Sequence, residues 1–308
     1  MLFHVRHALH YAYERPVFLE PMTLRLTPRH DPSQRLLRHT LQVTQDPSGS
    51  SRVLEPDGTD ARVLWFDDLR DSLSIEADMV VETLRDNPFD WIVTQEGARR
   101  LPVRYAEAET ASLAPCLGTT TITEPVRSWA KQLAEAMDHT ATDFMMHLAD
   151  TIHHGFHHVG RPDGDPQTPE ETLFSRTGAC RDTAMLYVEA CRSLGMAARF
   201  VSGYSMHHPP EVSEHELHAW AEVYLPGGGW RGYDPSLGLA VADGHVVLAA
   251  APDHRLAAPV SGRYRGTGVV STMRYTVELR TAESAAELAD LEGGQPIPLP
   301  PLESWLSG

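Results

Sequence analysis

Little in this chain is basic, and little of it is cysteine. Lysine and arginine number 26 against 42 aspartates and glutamates, a net charge of −16 over 308 residues. Nothing basic is concentrated enough to offset that charge, so neither a nucleic acid nor an anionic membrane is an expected partner. Ordinary solubility accounts for the acidity. Three cysteines, an odd number in a long chain, do not make a disulfide framework. Long apolar runs are missing too. The start, Met1-Leu2-Phe3-His4-Val5-Arg6-His7, has no apolar core of signal-peptide length, and no stretch approaches the roughly 18 residues of a membrane span. A cytoplasmic protein is the expectation, with enough chain for two domains or one elaborated one.

What the chain does hold is centred on Cys180. Gly178 stands just ahead of it, and Ala184, Tyr187, Val188, Cys191 and Leu194 recur at helical spacing until Gly195 stops the run. Cys180 then occupies the first turn of a buried helix, where unpaired N–H groups and the helix dipole favour a thiolate. On this helix alone it reads equally as a small core residue, the usual fate of a free cysteine.

The next block changes that reading. His218-Ala219-Trp220-Ala221-Glu222-Val223-Tyr224-Leu225 and Trp230-Arg231-Gly232-Tyr233-Asp234-Pro235 flank a Pro/Gly cluster, the pattern of a hairpin. With Pro226 at its centre, His218 falls directly opposite Asp234 and Gly232 faces Trp220. Cysteine, histidine and aspartate then make a nucleophile, a base and the group that orients the base.

These blocks, with Leu194-Gly195-Met196-Ala197-Ala198-Arg199-Phe200-Val201-Ser202-Gly203-Tyr204 between them and Gly238 to His245 after them, resemble the bacterial transglutaminase-like proteins. Members are often described as candidate cysteine proteases. The resemblance spans nearly the whole chain, including an accompanying N-terminal domain. It implies an α+β fold: a β-sandwich-like N-terminal domain, then a transglutaminase/papain-like core whose cysteine-bearing helix packs on an antiparallel sheet. It also places the nucleophile on Cys180, the base on His218 and the carboxylate on Asp234. Two positions depart from the family: Leu217 stands where a small residue is common, and Thr183 where an aromatic is. Both are expected to line the substrate cleft with Trp220. His157 and His158 stand where relatives carry an aromatic with a hydrogen-bonding tip, making a possible oxyanion donor, although the Cys180 N–H is the better one. The usual Gly-Asn turn of the N-terminal domain reads Asp57-Gly58-Thr59.

Residues 1–95 read as a β-rich domain of short alternating strands, with a packing or interface role, and 96–124 as a connection. The catalytic domain is expected over 125–281, and 282–308 as a loosely held tail. Thr168-Pro169-Glu170-Glu171 is a helix start, 207–216 a polar rim leading into His218, 236–266 mostly irregular, and 269–279 a last strand. Histidines 147, 153, 154, 157 and 158 tempt a zinc hypothesis, but no carboxylate or cysteine at ligand spacing completes a site, so neither a metal nor a cofactor is expected. The expected activity is thiol-dependent acyl transfer on peptide or isopeptide amides with net hydrolysis. Cross-linking to amines on the same acyl-enzyme and a non-catalytic binding module on the same fold are the alternatives. Substrate identity and oligomeric state are not legible.

Overall fold

A computed structural model describes residues 1–161, 164–207, 216–284 and 287. Most of the expected rim before His218 (208–215), and the expected tail from 288 onward, lie outside the described residues. Six strands come first: β1 (Leu2–Leu19), β2 (Met22–Leu24), β3 (Gln34–Thr44), β4 (Gly49–Leu54), β5 (Asp60–Trp65) and β6 (Leu69–Thr83). Then come α1 (Glu107–Leu113), α2 (Glu124–Ala136), α3 (Ala141–Gly155), β7 (His157–His158), α4 (Pro169–Ser175), β8 (Thr177–Gly178) and α5 (Cys180–Ser193). Strands β9 (Ala197–Ser205), β10 (His218–Leu225), β11 (Gly229–Asp234), β12 (Leu239–Ala240) and β13 (His245–Ala251) follow. Strands β14 (Val260–Ser261), β15 (Tyr264–Arg265) and β16 (Ser271–Ala282) come last among the strands of the described residues.

Two layers of sheet build the strand-rich part. One has the order β15-β1-β6-β3 with β16 also on β1, and the other runs β14-β2-β5-β4. Alternation explains the packing: Phe3, Val5 and Leu9 of β1, and Leu73, Ile75, Ala77 and Met79 of β6, turn one face into a shared core with Leu24 and Leu64. The second body is a five-stranded sheet, β12-β11-β10-β9-β13, antiparallel throughout, with α5 packed on it. Tyr187, Val188 and Cys191 fill that core with Phe144, Leu148 and Ile152 of α3 and Val126, Ala130 and Ala134 of α2. Trp129 and Leu133 of α2 pack against it half-buried.

Two expectations need correcting. The stretch after Asp234 is not mostly irregular, because His245–Ala251 is an edge strand of the second body's sheet, paired with β9 and buried at every position. Small alanines and β-branched valines let it be covered on both faces, which removes the alternation that marks a half-buried strand. The last strand does not belong with the helical part either. β16 pairs with β1 from Leu2↔Ala282 to Tyr13↔Ser271, so the N-terminal sheet is completed by chain that follows the helices. A buried guanidinium–carboxylate cluster also ties the bodies: Arg29 and Arg199 both hold Glu222, at 2.7 and 2.6 Å.

Candidate functional site

The site begins with a helix that starts cleanly. Thr168 and Glu171 exchange bonds as a capping box at the head of α4, and Arg176, in the left-handed conformation, turns the chain out of it into β8. β8 lies parallel to β7 and delivers Gly178 to the α5 N-terminus. A side chain at Gly178 would meet Asp182 Cβ at 2.9 Å, so only glycine lets the strand approach this closely. Asp182, fully buried, accepts the Ala179 N–H at 2.7 Å, and also the Gln167 N–H and the Arg161 guanidinium at 2.8 and 2.6 Å. Its oxygens are thus committed to fixing the helix start and the loop beside it.

Cys180 is the first residue of α5 and is partly exposed, whereas Cys116 and Cys191 are buried. His218 opens β10 opposite Gly203 of β9. The predicted hairpin register is off by two residues. Leu225 pairs with Gly229 and Glu222 with Gly232, so the hairpin turns about Gly227 rather than Pro226. The cause is the turn chemistry. Leu225–Gly228 closes a turn with Pro226 second and Gly227, at φ +92°, third, the arrangement of a type II turn. Gly232 therefore faces Glu222, and Asp234 falls level with Trp220. Because side chains alternate with period two, a two-residue shift keeps Asp234 on the face of His218. The two still meet: His218 Nε2 donates to Asp234 Oδ2 at 2.6 Å. This leaves Nδ1 on the other edge of the ring, and the Cys180 thiol is among the groups that interact with the imidazole.

Asp234 is the most heavily bonded group of the site. Oδ1 accepts from Ser236 N (3.0 Å), Ser236 Oγ (2.7 Å) and Leu237 N (3.2 Å), while Oδ2 also accepts from His245 Nε2 at 3.0 Å. Burial opposes its charge, but the two imidazoles and their hydrogen bonds hold its carboxyl well below the usual range. Burial likewise opposes a charge on His218, and the attraction and hydrogen bond of Asp234, then contact with Cys180, more than reverse it. At His245 burial prevails over Asp234, and the ring is pushed down. One carboxylate thus sustains one cation, His218, while the second imidazole stays neutral.

His245 is the functional residue that sequence reasoning missed as an actor. It was legible only as the end of the family resemblance, and the fully buried run that follows it, Val246-Val247-Leu248, was the available signal of a strand. Of the expected substrate contacts, Leu217 and His158 do line a cleft of about 200 Å³ that contains Cys180. Trp220 does not: it is fully buried, with its ring stacked behind His218 at 6.1 Å and edge-on to His245 at 5.0 Å. Thr183 is also buried, its hydroxyl donating to the Cys180 carbonyl at 3.0 Å within the helix. His157 is exposed and pairs with Thr177. A larger hollow of about 770 Å³, over Leu113 and Trp230, includes none of Cys180, His218 or Asp234.

The tempting histidines do not gather. His153 Nδ1 instead braces the turn after Asp234 through Ser236 O at 2.8 Å, and His154 pairs with Asp150. Among the described residues the one group at ligand spacing is His218, Asp234 and His245. Two ligands on a tetrahedral zinc at about 2.0–2.2 Å stand roughly 3.3 Å or more apart. The 2.6 Å between His218 and Asp234 is a hydrogen bond, and that group does not fit zinc as it stands.

Residues 127–235 match the transglutaminase-like superfamily, and residues 3–82 match the bacterial transglutaminase-like N-terminal region. The uncharacterized protein ML0607 of Mycobacterium leprae is 27% identical over 275 residues, covering 86% of this chain and 93% of its own. Rv2569c of Mycobacterium tuberculosis, also uncharacterized, is 26% identical over 276 residues, 84% of this chain and 86% of its own. The crystal structure of a candidate cysteine protease from Cytophaga hutchinsonii superposes with a TM-score of 0.70 at 21% identity, covering 92% of this chain and 91% of that one, and so shares the fold.

Proposed function

For a chain that carries a transglutaminase-like core behind a bacterial transglutaminase-like N-terminal region, we propose thiol-dependent acyl transfer on peptide or isopeptide amides, with hydrolysis as the net reaction. The observation that carries this reading is the imidazole of His218, bonded at 2.6 Å to a fully buried aspartate, with the partly exposed helix-start Cys180 among the groups that act on the ring. A cationic imidazole beside the sulfur favours the thiolate. The Cys180 sulfur attacks the amide carbon, and the carbonyl π electrons move to oxygen, where the Cys180 N–H receives the developing charge. As the carbon–nitrogen bond breaks, His218 gives its proton to the leaving amine. A water then loses a proton to His218 and adds to the thioester. Collapse releases the carboxylic acid and returns the sulfur as thiolate beside the cationic ring. Asp234 keeps the ring in the orientation and tautomer both halves require.

Hydrolysis is preferred to transfer because the sulfur is partly exposed at its cleft. The test offers glutamine- and asparagine-containing peptides with and without excess primary amine, with Cys180→Ala as the blank. Free acid as the main product supports the reading. Amide products exceeding free acid at modest amine concentration replace it with cross-linking, and turnover that survives Cys180→Ala overturns both.

A further inference from the structure

The wall of the cleft opposite Cys180 comes from outside the matched core. Leu9 and Tyr11 of β1 and Met273 and Tyr275 of β16 line it. They are direct cross-strand partners, Leu9↔Tyr275 and Tyr11↔Met273, so all four share one face of the sheet. That face is the one whose Phe3 and Val5 are wholly buried in the sandwich core. The stripe that fills the core, interrupted by buried His7 with its ring on the Tyr204 hydroxyl, therefore runs on past it and emerges in the cleft of Cys180, ending at Met273, 40% exposed.

The charged groups of the cleft are engaged, Arg161 and Arg181 away from the wall and Glu216 on it. Arg161 is held by Asp182 at 2.6 Å, Arg181 donates to the Arg161 carbonyl at 2.7 Å, and Glu216 contacts the Tyr275 hydroxyl. What the wall presents is apolar and aromatic surface. At about 200 Å³, the space suits one large side chain rather than a whole small-molecule ligand.

We propose that the N-terminal sheet is the specificity wall of the site: Tyr11 and Met273, with Leu9 and Tyr275, receive a large apolar or aromatic side chain of the peptide next to the bond that Cys180 attacks. This rests on the reading of Cys180 as nucleophile, and it assigns substrate recognition in part to an N-terminal region expected to have a packing or interface role. The half-buried Tyr11 and exposed Met273 are specificity residues whose truncation spares the fold's core.

The experiment measures the rate at which peptidyl electrophiles, identical except for one side chain, alkylate Cys180 in the full chain, read by mass spectrometry. Compounds carrying phenylalanine or leucine are expected to label on the order of tenfold or more faster than those carrying glutamate, lysine or glycine. Losing about 55 Å² of apolar contact corresponds to about that factor. Met273→Ala and Tyr11→Ala should each erase most of the preference while leaving labelling by iodoacetamide, which has no side chain to seat, unchanged. A preference for charged side chains, no preference, or a preference that survives both substitutions overturns the wall. Failure of iodoacetamide to label Cys180 ahead of Cys116 and Cys191 would instead count against Cys180 as nucleophile. The two failures are therefore told apart, and neither depends on whether water or an amine completes the reaction.

Discussion

Replacing Asp234 by asparagine removes one charge and almost no volume, yet the bonding around it dictates a large effect. Three donors converge on Oδ1, two of them backbone N–H groups that cannot become acceptors. The amide oxygen of the substituted side chain must stay there, so its NH₂ faces the two imidazoles at the Oδ2 position. His218 can accept from that NH₂ only through a deprotonated Nε2. Its neutral proton then moves to Nδ1, where it points at the sulfur and can no longer take a proton from it. Two costs follow. A hydrogen bond to a charged group is worth about 1.5–3 kcal/mol, so its loss lowers the His218 affinity for a proton by about one to two pKa units. The wrong tautomer adds to this, and a comparable aspartate-to-asparagine change in a serine triad costs about 10⁴ in kcat. We expect kcat for peptide-amide hydrolysis to fall by about 10³–10⁴ with KM little changed. Near-UV circular dichroism should remain that of the native protein. Asp234→Asn retaining more than about a tenth of the native kcat would refute the tautomer argument.

Other expectations follow from the same contacts. His245→Gln keeps one donor toward Asp234 but loses the ring that packs on Trp220, and should cost about tenfold in kcat while His245→Ala costs up to about 100-fold, as for a hydrogen bond to a charged group; equal effects of the two would mean that packing alone matters. Glu222→Gln leaves Arg199 without its carboxylate and Arg29 with Asp31 alone, and should destabilise the fold by about 3 kcal/mol, read as a lowered urea midpoint; an unchanged midpoint would show that this cluster does not hold the bodies together. In the native protein burial raises the cost of the Glu222 charge, but Arg199 and Arg29 bring its pKa from 4.5 down to about 2. That stabilisation is therefore complete above the unfolded value and is lost as pH falls toward the folded one, so the Glu222→Gln deficit should shrink over that window in urea melts. With limiting iodoacetamide near neutral pH, Cys180 should be alkylated first, because burial pushes the thiols of Cys191 and Cys116 up; preferential labelling of either by peptide mapping would break the assignment.

The sequence made Cys180, His218 and Asp234 legible for a reason that outlasted an error. Cys180 was read from its place at a helix start, and the pairing of His218 with Asp234 depended on which face of the hairpin each occupies, which a register slip of two residues leaves unchanged. The turn that caused the slip was written in Pro226-Gly227-Gly228-Gly229, but several closures suit such a cluster. Trp220 and Thr183 were misplaced because adjacency in sequence was taken for adjacency in the cleft. Along a strand or a first helical turn, a neighbouring residue turns inward as readily as outward. His245 and the pairing of β16 with β1 were beyond local reasoning. Residues 11 positions apart in one case and over 250 in the other meet through the topology of the sheets, and no short pattern encodes a partner at that distance.

The β1–β16 ladder also sets an order in time. As the chain emerges from a ribosome, β1 can pair with β6 early, and Cys180, His218 and Asp234 can assemble once β11 has appeared. Met273 and Tyr275 arrive only after that, with β16. Half the wall beside the sulfur is thus made after the triad residues, laid against the earliest described strand. A nascent chain would carry its reactive thiol for a while in an unfinished groove, able to meet small electrophiles but not to grip an apolar peptide side chain. The same zipper makes the helix-bearing body an insertion within the sheet that frames it, so that body cannot be cut out at one point in the chain. Excising it would take two cuts, and the second would leave β1 with one edge open.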